Sequence, residues 1–415
     1  MTAYRIKDVA RINRRTLSEA TNPGCEFKYI DIGAVDGLGN VDIPNERVTF
    51  AAAPSRARRL APSGAVIVST VRTYLRAIAV VPSSQDPLVF STGFAVLEAE
   101  SKIESRFLGY YCCSQPFIHE IVARSTGVSY PAINASEIGN LTIPLPPLEE
   151  QRRIADLLDA ETARIDQLSA AMRTQDALLA QRRLCVVDSV RDGTEGCAPS
   201  ARLGYLTTLV TSGSRGWSEY VSDTGELFFR SANLHSDRIT AKLANVAYVD
   251  VPEAAAAEAR RARIVAGDVL IGITGANAGW VCLAGDDVSG GYVSQHVCLV
   301  RPDPRHLNGE WLALLMASPT VQSDLLGSQY GGTKTQLSLP DVREIHIPTI
   351  PIQRQVQAAR SVRRRIDIID RQRTLRLRQL QILAERRQAL ITAAVTGQFD
   401  VSTASGRNVT EGVTV

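Results

Sequence analysis

The amino-acid sequence predicts an α+β protein in which two similar globular α/β domains are separated by two long antiparallel helices that form a coiled-coil spacer, with an internal pseudo-two-fold repeat. Three observations support this fold class. One stretch of roughly 40 residues contains no Gly or Pro and carries apolar residues at a seven-residue spacing. A similar stretch follows 204 residues later, and the same order of strand and turn signals precedes each stretch. The 415 residues are enough for two or three domains with their own cores.

The first long helix is predicted at 148–192. The preceding segment, 142–147, contains three prolines, which cannot lie inside a helix, and Glu149 and Glu150 then occupy a first turn where negative charge is favourable. The apolar residues predicted to face a partner helix form a seam of Ile154, Leu158, Ile165, Leu168, Met172 and Leu179. Glu161 and Gln175 are polar interruptions of this seam.

The second long helix is predicted at 352–396, because its segment repeats the first at a constant offset of 204 residues. The matched groups are Thr142-Ile143-Pro144 with His346-Ile347-Pro348, Gln151 with Gln355, Ile165-Asp166 with Ile369-Asp370, and Arg182-Arg183 with Arg386-Arg387. Its predicted seam consists of Val362, Ile366, Ile369, Leu380 and Leu383, and Arg373 and Arg376 interrupt it. Each helix would be ~60 Å long, so an antiparallel pair would make a rigid spacer with an approximate two-fold axis.

The globular segments repeat the same order of elements. Strands are predicted at Phe27–Ile32, Gly64–Thr70 and Val89–Leu97, followed by a helix at Ser105–Val122. The corresponding segments of the second half are Phe228–Leu234, Gly267–Thr274, Val293–Val297 and Trp311–Leu326. The predicted domains are therefore 1–147 and 201–351, with helices at 148–192 and 352–396, a linker at 193–200 and a flexible tail at 397–415.

The amino-acid composition limits the classes of protein to which the chain can belong. Hydrophobic residues make up 45% and charged residues 21% of the chain, as in ordinary globular proteins, and the net charge of +3 says little about partners. The seven cysteines are odd in number and contain no CxxC, which predicts free thiols in a reducing compartment. The sequence shows neither a signal peptide nor a membrane-spanning stretch, and we expect a cytoplasmic protein without membrane contact.

Motifs of catalysis and cofactor binding are missing from the sequence. It contains no GxxxxGK[ST], no GxGxxG after a strand, no HExxH and no Ser in a nucleophile-elbow context. The Gly-rich segment Gly272–Gly279 follows a strand, but its spacing fits neither phosphate-binding motif, and we interpret it as a tight loop. These observations favour a binding protein over an enzyme, with no catalytic residue, metal or cofactor on this chain.

Basic, aromatic and amide side chains in loops are the candidates for contact with nucleic acid, because guanidinium groups bind phosphates and base edges accept or donate hydrogen bonds in the grooves. The candidates are Arg11, Arg14, Arg15, Arg56, Arg58, Arg72, Tyr74, Arg76, Arg215, Trp217, Asn277, Lys334 and Gln336. For each of them the alternative is a solvated surface residue without a ligand.

The two repeated helical passages carry a resemblance to a known family. The segment IPLPPLEEQRRIADLLDAETARIDQL, together with LAERRQALITAAVTGQFDV near the end of the chain, resembles the specificity subunit of type I restriction–modification enzymes. The segments Tyr29–Ile32 and GDVLIGITG also look like strands of that family's target-recognition domains. The second proline-rich segment, IPTIPIQRQV, lacks the acidic pair of the first.

The resemblance implies a non-catalytic subunit that reads double-stranded DNA. Each target-recognition domain would read one half of a split, asymmetric sequence, and the paired helices would set the gap between the halves. A spacer of ~60 Å against ~34 Å per DNA turn suggests half-sites roughly one to two turns apart. Two methyltransferase subunits carrying S-adenosylmethionine, and two restriction subunits using ATP and Mg²⁺, would complete the complex.

Two other functions remain open at this point. The chain is alternatively a helical scaffold that binds proteins and no DNA. A fused methyltransferase or nuclease would need an NPPY-like or PD…ExK-like site, and the sequence shows neither.

Overall fold

The computed structural model of the protein describes residues 2–127, 129–192, 194, 199–327 and 336–398. The chain divides into two compact units, a first unit of Met1–Met172 with Leu377–Val415 and a second unit of Arg173–Arg376. Most of the predicted linker at 193–200 and of the predicted tail at 397–415 lies outside the described residues. None of the described helices is long and apolar enough to cross a bilayer.

The described residues of the first unit form two four-stranded sheets and a two-stranded ribbon. Its strands are β1 (Thr2–Arg5), β2 (Ala10–Ile12), β3 (Glu26–Ile30), β4 (Val48–Thr49), β5 (Ala57–Leu60), β6 (Val66–Ser69), β7 (Ile78–Val80), β8 (Leu88–Ser91), β9 (Phe94–Ala99) and β10 (Thr142–Leu145). One sheet has the antiparallel order β2-β9-β6-β7, and the other has the order β4-β3-β8-β5 with β3 and β8 parallel. β1 pairs with β10 and brings the two ends of the globular part together. The strands predicted at Phe27–Ile32 and Gly64–Thr70 correspond to β3 and β6.

Three short helices cover the β2-β9-β6-β7 sheet of the first unit: α1 (Ser105–Cys112), α2 (Gln115–Arg124) and α3 (Ala135–Asn140). The single helix predicted at Ser105–Val122 is wrong at its centre, because the chain breaks after Cys112 and restarts with Ser114 as the N-cap and Pro116 in the first turn. Phe107 is fully buried in a core that also contains residues of both long helices.

The second unit repeats this architecture. Its strands are β11 (Ser200–Arg202), β12 (Thr207–Ser212), β13 (Val221–Ser222), β14 (Glu226–Phe229), β15 (Ala247–Val249), β16 (Val269–Gly272), β17 (Val281–Leu283), β18 (Tyr292–Val293), β19 (Val297–Pro302) and β20 (His346–Pro348). The sheet β12-β19-β16-β17 and the ribbon β11-β20 correspond to the first unit's β2-β9-β6-β7 and β1-β10, and β14 pairs with β18 in parallel as β3 does with β8. The predicted internal repeat is confirmed at the level of topology.

The remaining helices complete the repeat. They are α4 (Leu148–Asp188), α5 (Ala256–Ala262), α6 (Gly309–Met316), α7 (Pro319–Gly327), α8 (Leu339–Glu344) and α9 (Ile352–Val395). The two long helices, α4 and α9, each contribute one segment to each unit. As in the first half, the single helix predicted at Trp311–Leu326 is divided, here into α6 and α7.

In the first unit, α4 and α9 pack together through one core cluster, in which Ile154 and Leu158 of α4 lie with Leu390 and Ile391 of α9. Gln388 also donates a 2.8 Å hydrogen bond from Nε2 to the carbonyl of Cys113. Early residues of α4 therefore lie against late residues of α9, as an antiparallel pair requires.

In the second unit the same two helices pair through ion pairs. Arg183 Nε donates to Asp370 Oδ1 at 2.9 Å, and Arg373 donates two hydrogen bonds of 3.0 and 3.1 Å to Asp176. Arg376 contacts Gln175. Residue numbers rise along one helix as they fall along the other, so the pair is antiparallel. Of the residues that interrupt the predicted seams, Arg376 thus meets Gln175, and Arg373 pairs with Asp176 beside Gln175.

The predicted seam residues divide into three groups. Buried members are Ile154, Leu158, Ile165, Val362, Ile366 and Ile369. Half-buried members are Met172, Leu179, Leu380 and Leu383. The prediction for Leu168 is wrong, because its side chain is 46% exposed while Ser169 beside it is buried. At about 100° per residue, Ser169 lies within about 20° of the buried Leu158 around the helix axis, whereas Leu168 lies about 80° away from it.

Candidate nucleic-acid interface

Three loops of the first unit meet at one edge of its sheets. They follow β6 (70–77), connect β8 to β9 (92–93) and connect α2 to α3 (125–134). The backbone N–H of Thr70 donates to the carbonyl of Gly93 at 2.8 Å, and that of Ile133 donates to the carbonyl of Thr70, also at 2.8 Å. These hydrogen bonds hold side chains from three distant parts of the sequence next to one another.

The loop after β6 is a short 3₁₀ turn, Thr73–Leu75, between two residues with a left-handed backbone. Arg72 has φ 51° and ψ 49°, and Arg76 has φ 52° and ψ 37°. Thr73 is buried, and its hydroxyl lies 2.9 Å from the hydroxyl of Ser125 at the end of α2. The turn is therefore anchored from below, and Arg72, Tyr74 and Arg76 are exposed.

An aromatic side chain from the third loop lies against this turn. The guanidinium carbon of Arg72 is 5.3 Å from the ring centroid of Tyr130, and the Tyr130 side chain is 66% exposed. Within the described part of the chain neither Arg72 nor Arg76 forms an ion pair, and both side chains are exposed, so their guanidinium groups are accessible to a ligand. Cationic donors beside an exposed ring are suited to base edges and phosphates.

The second unit builds the corresponding edge from different side chains. The N–H of Ile273 donates to the carbonyl of His296 at 3.0 Å, and the N–H of Leu337 donates to the carbonyl of Ile273 at 2.9 Å. His296 is exposed, with Nδ1 2.8 Å from the hydroxyl of Thr274 and Nε2 3.2 Å from the amide of Gln295. Amide and imidazole groups replace the guanidinium groups of the first unit.

Two of the predicted residues of the second unit reach this edge. Asn277 is half-buried, and its Nδ2 donates to the carbonyl of Ser231 at 2.9 Å. The donor group of this amide therefore takes part in holding the loop. Gln336 is exposed and pairs through its backbone with Thr274. Lys334 lies outside the described residues.

Several predicted arginines of the first unit are already engaged within the protein. Arg11 pairs with Glu100, and Arg15 lies 3.4 Å from Glu98. Arg58 stacks on the ring of Phe50 at 4.7 Å and donates to the carbonyl of Ala57.

Two further arginines of the first unit are exposed. Arg56 reaches the three-loop edge, because its carbonyl accepts a 2.8 Å hydrogen bond from Thr92 N–H, whereas Arg14 follows β2. In the second unit Arg215 is also exposed.

The prediction for Trp217 is wrong. Its side chain is 2% exposed, and its ring centroid lies 5.5 Å from that of Tyr292 and 6.5 Å from that of Phe228. Its Nε1 donates to Glu258 at 3.3 Å, and hydrogen bonds from Ser214 and Trp217 lower the pKa of Glu258. The preceding glycine turns the chain so that the indole enters the core instead of facing a ligand.

Three residues at these edges were not among the predicted contacts: Tyr130, Gln295 and His296. The internal repeat could have identified Gln295 and His296, because the segment Val293–Val297 corresponds to Phe90–Phe94, which forms the same edge in the first unit. Tyr130 belongs to a loop that composition alone identifies only as irregular.

Sequence comparisons relate this chain to known proteins. Residues 1–173 match the family described as the type I restriction modification DNA specificity domain. The EcoBI specificity subunit of Escherichia coli is 20% identical over 286 residues, which are 63% of this chain and 59% of that protein. The EcoKI specificity subunit of Escherichia coli K12 is 29% identical over 115 residues, 27% of this chain and 25% of that protein. The match thus spans less than two thirds of the length of either relative.

Structural comparisons cover nearly the whole chain. A subunit solved in a study of complex assembly and conformational transition of the type I R-M system has a TM-score of 0.78 and 25% identity, over 96% of this chain and 98% of that one. The HsdS subunit from Thermoanaerobacter tengcongensis has a TM-score of 0.54 and 24% identity, over 96% and 97%. The second likeness concerns the fold alone.

Proposed function

We propose that this chain is a specificity subunit of the type I restriction–modification family, to which its matches point, and that it reads a bipartite, asymmetric DNA sequence, one half with each unit. The observation that carries this proposal is the repeated three-loop edge. Equivalent backbone hydrogen bonds form this edge in both units. The side chains at the edge differ between the two units. Two copies of one scaffold with different chemistry are suited to two different half-sites.

The side chains at the two edges support DNA as the ligand. Arginines such as Arg72 and Arg76 bind guanine edges or phosphates, and the amides of Gln295 and Gln336 suit adenine edges. Exposed arginines outside the turn, such as Arg56 and Arg215, would neutralise phosphates and make binding depend on salt.

The proposed role is recognition without catalysis on this chain. Two methyltransferase subunits carrying S-adenosylmethionine would assemble with it and extrude the target adenine for methylation. Two restriction subunits using ATP and Mg²⁺ would complete the nuclease, and the complex would act in the cytoplasm. The names of the E. coli relatives, which are specificity subunits of type I restriction enzymes, support this assignment of roles.

A domain replacement tests the proposal. Residues 1–141 would be replaced by the matching segment of a relative, and the methylated motif would be determined by long-read sequencing of host DNA. We expect one half of the motif to change and the other to stay. Replacement of residues 200–345 is the reciprocal control and should change the other half.

A change in both halves, or in neither, would count against the proposal. The alternative scaffold that binds no DNA predicts something different. In that case duplex DNA would show no salt-dependent mobility shift with this chain, even with the methyltransferase subunit present.

A further inference from the structure

The turn after β6 and the turn after β16 correspond residue by residue at an offset of 203. Ser69 N–H donates to the carbonyl of Ala77 at 2.9 Å, and Gly272 N–H donates to the carbonyl of Trp280 at 2.8 Å. These hydrogen bonds close the two loops at the same positions. Arg72 of the first unit therefore corresponds to a glycine in the second, and so does Arg76.

The corresponding glycines adopt the left-handed conformation that the turn requires. Gly275 has φ 70° and Gly279 has φ 86°, against 51° for Arg72 and 52° for Arg76. Glycine reaches this region without steric conflict, whereas an arginine places its Cβ too close to the following carbonyl. The second unit carries the residue that suits the backbone, and the first unit carries a strained one at both positions.

Strain of this kind persists where the side chain has a function that compensates for it. Within the described residues, Asn13 is the other non-glycine with positive φ, and asparagine tolerates that region better than arginine does. Two strained arginines within five residues, both exposed and both without an acidic partner in the described part of the chain, are thus a distinct feature of the first unit's edge.

We propose that Arg72 and Arg76 are the specificity-determining residues of the first unit and that each reads a guanine in its half-site. This inference rests on the proposed function. A phosphate contact needs only a flexible cation, but bidentate donation to guanine O6 and N7 needs a guanidinium in a fixed orientation. The buried Thr73 between the two arginines and the ring of Tyr130 beside Arg72 supply that fixation.

The second unit cannot read guanine in this way, because glycines replace both arginines. Its bases would be reached by amide and imidazole side chains of the corresponding edge, such as Asn277, Gln295 and His296. The two halves of the recognised sequence should therefore differ in their dependence on guanine contacts, with arginine readout confined to the half that the first unit binds.

The test separates the effect of each arginine on stability from its effect on base recognition. In Arg72→Gly and Arg76→Gly the first unit receives the residues of the second, so the thermal midpoint of unfolding should stay the same or rise. The methylated motif, mapped by long-read sequencing of the host that carries each variant, should lose discrimination at one guanine position per variant by roughly tenfold or more. The half-site of the second unit should not change. Arg124→Ala, on the outer face of α2, is the matched control and should leave the motif intact.

Lysine variants separate base reading from phosphate binding. Arg72→Lys and Arg76→Lys keep the charge but lose bidentate geometry, so they should relax the same guanine positions. If the lysine variants keep the wild-type motif, or if the glycine variants lower methylation evenly at an unchanged motif, the arginines bind phosphates and the inference is wrong. If the wild-type chain directs no methylation at all, the proposed function fails as well.

Discussion

Gln151 and Gln355, which lie 204 residues apart, are both buried and make the same three hydrogen bonds in their respective units. In the first unit Gln151 Oε1 accepts from the N–H of Glu104 at 2.8 Å, and Nε2 donates to the carbonyls of Pro146 at 2.9 Å and Lys102 at 3.2 Å. One amide thus joins the first turn of α4 to the loop that leads into α1.

The second unit repeats this arrangement at the start of α9. Gln355 Oε1 accepts from the N–H of Asn308 at 2.8 Å, and Nε2 donates to the carbonyls of His306 at 2.8 Å and Ile350 at 2.9 Å. Both glutamines follow a proline-rich segment, where the chain passes from the globular part into a long helix.

Gln151→Ala and Gln355→Ala should each lower the free energy of unfolding by about 2–3 kcal/mol, because each substitution leaves one buried N–H and two carbonyls without their partner. Urea denaturation followed by circular dichroism would measure the effect. Gln167→Ala and Gln353→Ala are controls at exposed helix positions and should change stability by less than about 0.5 kcal/mol. Equal effects at the buried and exposed positions would contradict the prediction.

An ion pair between the globular part and the long helix has opposite polarity in the two units. Arg106 Nη1 of α1 lies 2.7 Å from Asp159 of α4, whereas Glu310 of α6 contacts Arg363 of α9. We expect Arg106→Glu to destabilise the protein by about 1 kcal/mol, a modest effect because Arg106 is partly exposed. Adding Asp159→Arg to that variant should recover part of the loss.

The reciprocal pair of variants tests the same idea in the second unit. Glu310→Arg should destabilise, and Arg363→Glu added to it should compensate, as measured by thermal denaturation at low and high salt. An additive outcome in both double mutants would show that the pairs contribute no coupling energy.

Trp217→Ala should destabilise the protein by about 3–5 kcal/mol, because the indole fills the core between Phe228 and Tyr292. Trp217→Phe should have a smaller effect and leave the methylated motif unchanged. A surface residue that contacts DNA would show the reverse pattern, with little change in the urea midpoint and an altered motif.

Asp303 should contribute to the acid sensitivity of the second unit. Hydrogen bonds from the side chain and then the backbone N–H of Arg305 lower the pKa of Asp303 from 3.8 to about 2. The ionised carboxylate therefore stabilises the folded state above pH 3.8, and this contribution is lost as the pH falls toward 2.

Asp303→Asn removes this ionisation. The variant's free energy of unfolding, measured by urea denaturation between these two pH values, should fall less steeply than that of the wild type. Asp286→Asn, at an exposed position, should follow the wild-type curve. A variant at residue 303 with an unchanged slope would exclude this carboxyl as a source of acid sensitivity.

The long helices and the repeat could be predicted because periodicity and a constant offset depend on many residues at once. The break between α1 and α2 had a local signal in Ser114 and Pro116, which the helical pattern across Ser105–Val122 obscured. The burial of Trp217 had none, since distant residues such as Tyr292 decide it.

Sequence identified Arg72, Tyr74 and Arg76 as candidates for contact with nucleic acid but could not distinguish Arg72 and Arg76 from the other candidate arginines. Their selection depends on backbone conformation, and local preference argues against a left-handed arginine. The glycines of the second unit indicate that the turn requires a left-handed backbone at these positions. Their equivalence to the arginines is defined by backbone hydrogen bonds that only the structure shows.

The ribbons β1-β10 and β11-β20 have an evolutionary consequence. In each ribbon the strand that enters the globular part pairs with the strand that leaves it, from Thr2 with Leu145 to Arg5 with Thr142 in the first copy. A pair of genetic crossovers, one in each strand of a ribbon, would exchange a whole globular part and preserve the register of the ladder. If the two units read different half-sites as proposed, exchange of one globular part would create a new combination of half-sites while α4 and α9 keep their sequence.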